Sequence, residues 1–222
     1  MAKSSIHLLK EYVNNKRKTI FEIGAYTGVD IPEIQSIFND CEIHAFEPDP
    51  EAFNNLITLK SKNVHCYNIA LSNKIGFLEF NKYYDKTLSS DQSNRDEWFK
   101  TAQSLKEISK YHLQITETEN KIKTSKINVF CDTLNNFCLE KNIFPEILLI
   151  DTQGSEYEIL EAAYDILNKV EVIICEYSLC DFYDNQKHLS EIETLLNEKN
   201  FFLKTQINLF NNVHGDAIFI KK

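Results

Sequence analysis

Glycine and proline are scarce in this chain, with five and four among 222 residues, and there is a single tryptophan. Long apolar runs are also missing, since no stretch approaches the roughly 18 residues that a membrane-spanning helix needs. The first residues lead into a charged segment instead of the apolar core of a signal peptide. We therefore predict a cytoplasmic protein without a membrane span.

Positive charge is in short supply as well. Two of the 24 basic residues are arginine, Arg17 and Arg95, and the net charge is −9. Arginine is better suited than lysine to binding phosphate, and an acidic protein repels a polyanion. Nucleic acid is therefore not a predicted partner. The proportions of hydrophobic residues (43%) and charged residues (26%) are those of a globular domain.

The six cysteines form no C-x-x-C pair. Four of them lie in or beside apolar, strand-like runs, which indicates reduced and buried thiols. No H-x-H pair or carboxylate cluster has a recognisable metal-ligand spacing, so we predict no metal site.

Short apolar segments alternate with amphipathic ones, a pattern typical of a parallel sheet with helices on both faces. Parallel strands are predicted at residues 19–23, 42–46, 64–69, 147–150 and 170–175. Residues 201–206 and 217–220 are too close in sequence for a parallel crossover and are predicted to pair antiparallel. Capping boxes are predicted at Ser155 with Glu158 and at Ser190 with Glu193. The fold class is therefore α/β, in a single domain over residues 1–222.

A hairpin of residues 75–80 and 127–131 is interrupted by a polar insertion at about residues 84–126. Such a length is unusual for a structureless loop. Trp98, Ala102, Leu105 and Ser109 have helical spacing, which predicts a helix over residues 96–111. The insertion is interpreted either as an active-site lid or as a surface segment without a chemical role.

Two features mark a ligand site at the carboxyl ends of the strands. Gly24 and Gly28 bracket the turn after the first strand, and Glu47 stands at the tip of the second. A carboxylate there accepts hydrogen bonds from ribose hydroxyls, although an acid near a helix start is also favoured electrostatically. The turn lacks the middle glycine that lets a pyrophosphate approach, so the pattern favours a ribose-containing ligand that is not a dinucleotide.

Four segments in order, FEIGA (21–25), AFEPDP (45–50), IALS (69–72) and LIDTQGSE (149–156), resemble motifs of the FkbM-type S-adenosylmethionine-dependent methyltransferases. The resemblance spans roughly residues 19–220. It implies a class I methyltransferase (Rossmann-like) fold with seven strands and a C-terminal antiparallel hairpin. It also implies S-adenosyl-L-methionine as cofactor and O-methylation of a small molecule, a sugar or a glycan precursor. The chain departs from the family pattern at Glu22, Tyr26 and Gln153, where Asp, Asn and Glu are common.

The motifs assign cofactor binding to the first turn and to the neighbouring strand ends. The residues are Glu22, Gly24, Ala25, Tyr26, Glu47, Pro48, Ala70, Leu71 and Asp151.

Methyl transfer to a hydroxyl requires aligned reactants and a base for the hydroxyl proton. Asp151 follows the fourth parallel strand, and Glu156 lies in the next helix; either is predicted to orient the acceptor or act as base. His214 is the other candidate, because histidine titrates near neutral pH. The structural alternatives are a turn cap at Asp151, a favourable helix-terminus charge at Glu156 and a structural histidine at 214. Glu176 is predicted to point into the same crevice.

Two other functions remain open at this point: a nicotinamide-dependent oxidoreductase and a non-catalytic cofactor-binding module. The predicted partner is a small-molecule or sugar acceptor, and a homo-oligomer is left open. Aromatic residues in or near the insertion are predicted either to stack on sugar faces or to form its own core; they are Tyr83, Tyr84, Trp98 and Tyr111.

Overall fold

The computed structural model describes residues 4–14, 17–85, 102–116, 119–210 and 213–222. Helices are α1 (Ser5–Tyr12), α2 (Ile31–Ile37), α3 (Pro50–Leu56), α4 (Lys110–Ile115), α5 (Leu134–Lys141), α6 (Glu156–Ala162) and α7 (Leu189–Asn197). Strands are β1 (Lys18–Ile23), β2 (Cys41–Phe46), β3 (Val64–Tyr67), β4 (Ala70–Leu71), β5 (Gly76–Asp85), β6 (Ile122–Asp132), β7 (Ile147–Ile150), β8 (Val172–Ser178), β9 (Phe201–Phe210) and β10 (His214–Lys221).

The main sheet of the described residues has seven strands in the order β3-β2-β1-β7-β8-β10-β9. The first five of these are parallel, whereas β10 runs antiparallel to both β8 and β9. The predicted α/β class and closing antiparallel pair are confirmed. The strand order reverses between β1 and β7, which places a ligand crevice at their carboxyl ends.

Apolar residues on both faces of the sheet explain this layered arrangement. All four residues of β7 are buried, as expected for a central parallel strand. One core packs Phe21 and Phe46 against Phe137 of α5, and the other packs Ile20 and Ile43 with α1 and α2.

Several predicted boundaries were wrong at the ends of elements. The fifth parallel strand covers Val172–Ser178, two residues later than predicted at its start. Ser155 precedes α6 but makes no side-chain cap hydrogen bond. Helix α7 begins after His188, whose backbone N–H donates to Glu191, instead of using the predicted Ser190 and Glu193 box. Near both helix starts a different carboxylate accepts from the backbone: Glu156 from the N–H groups of Thr152 and Gly154, and Glu191 from that of His188.

The interrupted hairpin is confirmed and is longer than predicted, because β5 and β6 pair from Gly76 with Cys131 to Asp85 with Ile122. The predicted helix over residues 96–111 is wrong for residues 102–109, which form isolated bridges and bends instead of a helix. Ser104 bridges Asn81 there, and Ile108 bridges Tyr183. Lys110 and Tyr111 are helical, as predicted, because they begin α4, whereas residues 96–101, including Trp98, lie outside the described residues.

The described part of the insertion has its own small apolar cluster. Tyr83, Ala102, Ile108 and Ile122 pack with Tyr183 from the segment after β8. The hydroxyl of Tyr83 donates to Lys106 O at 3.2 Å and accepts from Ile108 N at 3.0 Å. Tyr83 is therefore a core residue of the insertion and is unsuited to stacking on a sugar.

Within the described ranges, no helix combines the length and apolar character that crossing a membrane requires. The cytoplasmic location stays a prediction.

Candidate active site

A cavity opens at the carboxyl ends of β1, β2 and β7, where the first-turn and strand-end residues converge. Among the residues predicted to bind the cofactor, the structure brings eight to its wall: Gly24, Ala25, Tyr26, Glu47, Pro48, Ala70, Leu71 and Asp151. Phe80 of β5 and Gln103 and Leu105 of the insertion complete one side. Their contact with a cofactor stays a prediction.

Position 24 requires a glycine because the backbones at the ends of β1 and β7 come close together there. Its φ is +86°, and a Cβ atom there would lie 1.7 Å from the carbonyl oxygen of Asp151. Its N–H and that of Ala25 donate to Phe46 O, which ties the turn to β2. The glycine was predicted to make room for the cofactor; the structure shows that it first makes room for the protein's own backbone.

Glu47 is buried at the tip of β2 with both oxygens engaged by the loops around it. Oε2 accepts from Tyr26 N at 2.8 Å, and Oε1 accepts from Asp49 N at 2.7 Å. Burial raises the pKa of Glu47 to about 7, against the opposing effect of these two hydrogen bonds. Each carboxylate oxygen keeps a second lone pair for a hydroxyl group.

A buried ion pair, which the sequence analysis does not predict, supports this strand tip. Lys82 of β5 donates to Asp49 at 2.8 Å and lies 2.9 Å from Glu51 of α3. Asp49 in turn caps α3 by accepting from Glu51 N. The pairing joins the loop after β2 to the hairpin, and residues so far apart in sequence give no local signal of it.

Glu22 is buried on β1 and is not part of the cavity wall. Burial, and then the charges of Asp30 and Asp151, raise its pKa well above the usual range. Its Oε2 is buried without a hydrogen-bond partner in the part of the chain that the structure describes. A carboxylate in this state is suited to a cationic neighbour.

Asp151, Gln153 and Glu176 form a connected group at the ends of β7 and β8. The amide nitrogen of Gln153 donates to Asp151 Oδ1 at 2.8 Å and to both oxygens of Glu176 at 3.1 Å. Asp151 is open to the cavity, yet protein atoms crowd its other sides. Desolvation by the protein atoms around it, followed by the charge of Glu176, raises the pKa of Asp151 well above its usual range.

The position of Gln153 is set by groups far away in sequence. Its backbone φ is +57°, and its carbonyl oxygen accepts from Ser104 Oγ at 2.7 Å. Tyr183 donates its hydroxyl to Gln153 Oε1 at 2.8 Å, which directs the amide nitrogen towards the two carboxylates. The insertion therefore holds the residue that links Asp151 to Glu176.

His214 lies diagonally across from Glu176 in the antiparallel pair of β10 and β8, in which its direct partner is Ser178. Its Nε2 is 3.1 Å from Glu176 Oε1, and Phe182 packs edge-on against its ring. Glu176, which was predicted to point into the crevice, is buried and absent from the cavity wall, and it meets the wall through Gln153. His214 is absent from the cavity wall and contacts this group through Glu176.

Glu156 is buried beneath the loop after β7. Its Oε1 accepts from Thr152 N, Thr152 Oγ1 and Gly154 N at 2.9, 3.0 and 3.0 Å. It is absent from the cavity wall. This geometry favours a supporting role over the predicted role as base, because the carboxylate is committed to the loop that carries Asp151.

The family model for the methyltransferase FkbM domain matches residues 22–203. The chain belongs to the FkbM methyltransferase family. It is accordingly an S-adenosylmethionine-dependent methyltransferase, and the oxidoreductase and non-catalytic alternatives are set aside.

This FkbM-family chain is similar to 2-O-methyltransferase NoeI of Sinorhizobium fredii (strain NBRC 101917 / NGR234), at 25% identity over 97% of the chain and 85% of NoeI. Two solved methyltransferases share its fold. Precorrin-6y C5,15-methyltransferase from Geobacter metallireducens GS-15 has a TM-score of 0.52 at 11% identity, covering 98% of this chain and 87% of that one. Magnesium protoporphyrin IX methyltransferase from Synechocystis PCC 6803, with bound SAM, has a TM-score of 0.51 at 7% identity, covering 98% and 76%. The class I methyltransferase fold is confirmed.

The cavity fits the cofactor of the family. S-adenosylmethionine carries a ribose and positively charged groups but no phosphate, and the cavity offers Glu47 and Asp151 on its wall. Glu47 is the residue suited to the ribose hydroxyls, and Asp151 is suited to the cationic end.

Proposed function

We propose that this methyltransferase acts on a hydroxyl group of a small molecule, and that the acceptor is a sugar or glycan precursor. The observation that carries the proposal is the Asp151 carboxylate, which borders the cofactor cavity and is surrounded by other acids. A carboxyl group with a raised pKa is a stronger base once ionised. The similarity to NoeI, a 2-O-methyltransferase, supports the choice of an oxygen acceptor.

S-adenosylmethionine, when bound, supplies a methyl group on a positively charged sulfur. Asp151 accepts the proton of the acceptor hydroxyl. Gln153 donates a hydrogen bond to Oδ1 of Asp151. Gln153 holds the carboxylate in a fixed orientation, while Glu176 makes the proton easier to accept by raising the pKa of Asp151.

His214 is a positioning residue in this proposal. Its ring nitrogen contacts Glu176 and not the cavity, so its effect on Asp151 passes through Glu176. Substituting His214 is expected to change the pH profile of methyl transfer more than the affinity for the acceptor.

The test is methyl transfer from labelled S-adenosylmethionine to a panel of free sugars and nucleotide-sugars. Asp151→Asn keeps the shape of the side chain and removes its charge. We expect a rate loss of about 10² to 10⁴ in single turnover, the usual contribution of a general base. Calorimetric titration with S-adenosylhomocysteine is expected to show a loss of affinity much smaller than the loss of rate.

Gln206→Glu on the exposed face of β9 is a control that changes one charge far along the sheet. A loss below tenfold in Asp151→Asn would remove Asp151 as the base. Methylation of a nitrogen or carbon acceptor with no turnover of any hydroxyl would overturn the proposed acceptor class.

A further inference from the structure

Two strands at the edge of the sheet bring together three metal-binding side chains that sequence spacing did not reveal. Glu42 and His44 are two residues apart on β2, so they lie on the same face. His65 of β3 is the register partner of His44 in the parallel pair. None of the three belongs to the wall of the cofactor cavity.

The donor atoms of this cluster meet around one carboxylate oxygen. Glu42 Oε1 lies 3.5 Å from His44 Nε2 and 3.2 Å from His65 Nε2, and all three donor atoms are within 4.8 Å of one another. Zinc binds imidazole nitrogen at about 2.0–2.1 Å and carboxylate oxygen at about 2.0–2.2 Å, so neighbouring donors of a tetrahedral site are about 3.3 Å apart. Both measured separations are close to that edge length.

The two imidazole nitrogens lack the partners that buried polar atoms normally have. Among the described residues, His44 Nε2 and His65 Nε2 are both buried without an aligned hydrogen bond, although Glu42 is near. A buried polar atom that is left unpaired destabilises the fold. A cation between the three donors would satisfy both nitrogens and the carboxylate at once.

The surrounding groups hold the donors in place for an ion. His44 Nδ1 is 3.0 Å from the hydroxyl of Tyr67, and a proton on Nδ1 leaves the Nε2 lone pair available. Arg17 donates to Glu42 Oε2 at 3.1 Å, which keeps the other oxygen towards the histidines. The rings of His44 and His65 stack with centroids 4.8 Å apart.

We propose that Glu42, His44 and His65 bind a divalent zinc-type metal ion with water as the fourth ligand. Two imidazoles and one carboxylate suit zinc, whereas magnesium and calcium prefer oxygen donors alone. The side chains of Glu42 and His65 are 29% and 34% exposed, which gives the ion access from solvent and a place for water. The ion joins the edge strand β3 to β2 and has a structural role.

The test uses tag-free protein that has been stripped with a chelator and dialysed. Titration with Zn²⁺ is expected to give one site per chain, and Co²⁺ is expected to give the strong visible bands of tetrahedral coordination. Thiolate-to-cobalt absorption is expected to be absent, because the six cysteines are not ligands here. The thermal unfolding midpoint should rise on adding Zn²⁺, since an ion that binds the folded chain stabilises it.

His65→Gln is the main variant, because His65 is partly exposed and its loss should leave the fold intact. We expect zinc affinity to fall more than tenfold while S-adenosylhomocysteine binding stays at the wild-type level. His188→Gln is the matched control: His188 also pairs with a carboxylate, Asp181, at 2.8 Å, but no second histidine joins that pair among the described residues. Unchanged zinc affinity in His65→Gln, equal losses in both variants, or a cobalt spectrum with thiolate absorption would overturn the site.

Discussion

Single carboxyl groups carry much of the chemistry at the carboxyl end of the sheet, and each is held differently. Glu47 is fixed by backbone N–H groups, Asp151 by the amide of Gln153, and Glu156 by the loop that it supports. Glu22 has an oxygen with no partner among the described residues. Substitutions at these positions are therefore expected to have separable effects.

Glu47→Ala is expected to weaken S-adenosylmethionine binding by about 1–3 kcal/mol, because hydroxyl donors would lose their charged acceptor. Calorimetric titration with S-adenosylhomocysteine measures the change. Glu79→Ala on β5 serves as the control, since Glu79 is exposed and pairs with Lys126 at the surface. Unchanged affinity in a folded Glu47→Ala protein would exclude Glu47 from the cofactor site.

Gln153→Glu should shift the acid limb of the pH profile of kcat/KM to higher pH, by about one unit. The new carboxylate replaces a hydrogen-bond donor that lowers the pKa of Asp151 and adds a like charge that raises it. Asp151 then stays protonated, and inactive as a base, over a wider pH range. Glu176→Gln removes a charge that raises the same pKa and should shift the limb the other way. Shifts of the same sign in both variants would contradict the assignment of Asp151 as base.

At the scale of elements, the turn between β1 and α2 depends on how closely β1 and β7 approach. The N–H of Asp151 donates to Ile23 O, and the carbonyl of Asp151 occupies the space where a side chain of residue 24 would lie. The same approach places Asp151 beside the first turn. Strand packing and the shape of the site are therefore coupled at Gly24.

Gly24→Ala is expected to lower the free energy of unfolding by more than about 2 kcal/mol, from a left-handed backbone and a steric overlap together. Gly76→Ala is the matched control, because Gly76 also has positive φ (+129°) but its Cβ would meet nothing within 4 Å. Urea unfolding of both variants measures the two losses in free energy of unfolding, and their difference separates the steric overlap from the backbone strain. Equal losses in the two variants would show that the close approach to Asp151 is unimportant for stability.

The strands, their order of appearance and the residues around the cavity could be predicted because they depend on local signals: apolar runs, turn glycines and acids at strand ends. The non-helical segment 102–109 could not, because its conformation follows from pairing with Asn81 and Tyr183, which are distant in sequence. The ion pair of Lys82 with Asp49 and the pairing of His65 with His44 could not be predicted either, because their partners are also distant in sequence. Glu156 was predicted at the correct end of the sheet, but its hydrogen bonds to the loop are not visible in a motif.

For the whole molecule, the acids that accumulate at one end of the sheet lower the stability of the fold by an amount that depends on pH. Burial raises the pKa values of Glu22, Glu47, Asp151, Glu156 and Glu176. The net charge of −9 adds general repulsion as the remaining carboxyls ionise. The same negative charge attracts a cationic ligand to the cavity, and S-adenosylmethionine is such a ligand.

The stability of the chain should therefore fall as pH rises through the range in which the buried acids ionise. For Glu47 the pKa is about 7 in the folded protein, against an ordinary value of 4.5 for a glutamate in water, so the folded state binds more protons between these values. Stability is fully present below pH 4.5 and is lost as pH rises towards 7, by about 3 kcal/mol for this residue. Glu47→Gln cannot titrate, so the wild-type free energy of unfolding minus that of the variant should decrease over this window and level off above it. Urea unfolding of both proteins at pH 4.5 to 8.5 measures this difference, and the general charge repulsion largely cancels because both proteins share it.

A difference that grows with pH would mean that Glu47 is stabilised as a carboxylate, and that the hydrogen bonds from Tyr26 and Asp49 outweigh its burial.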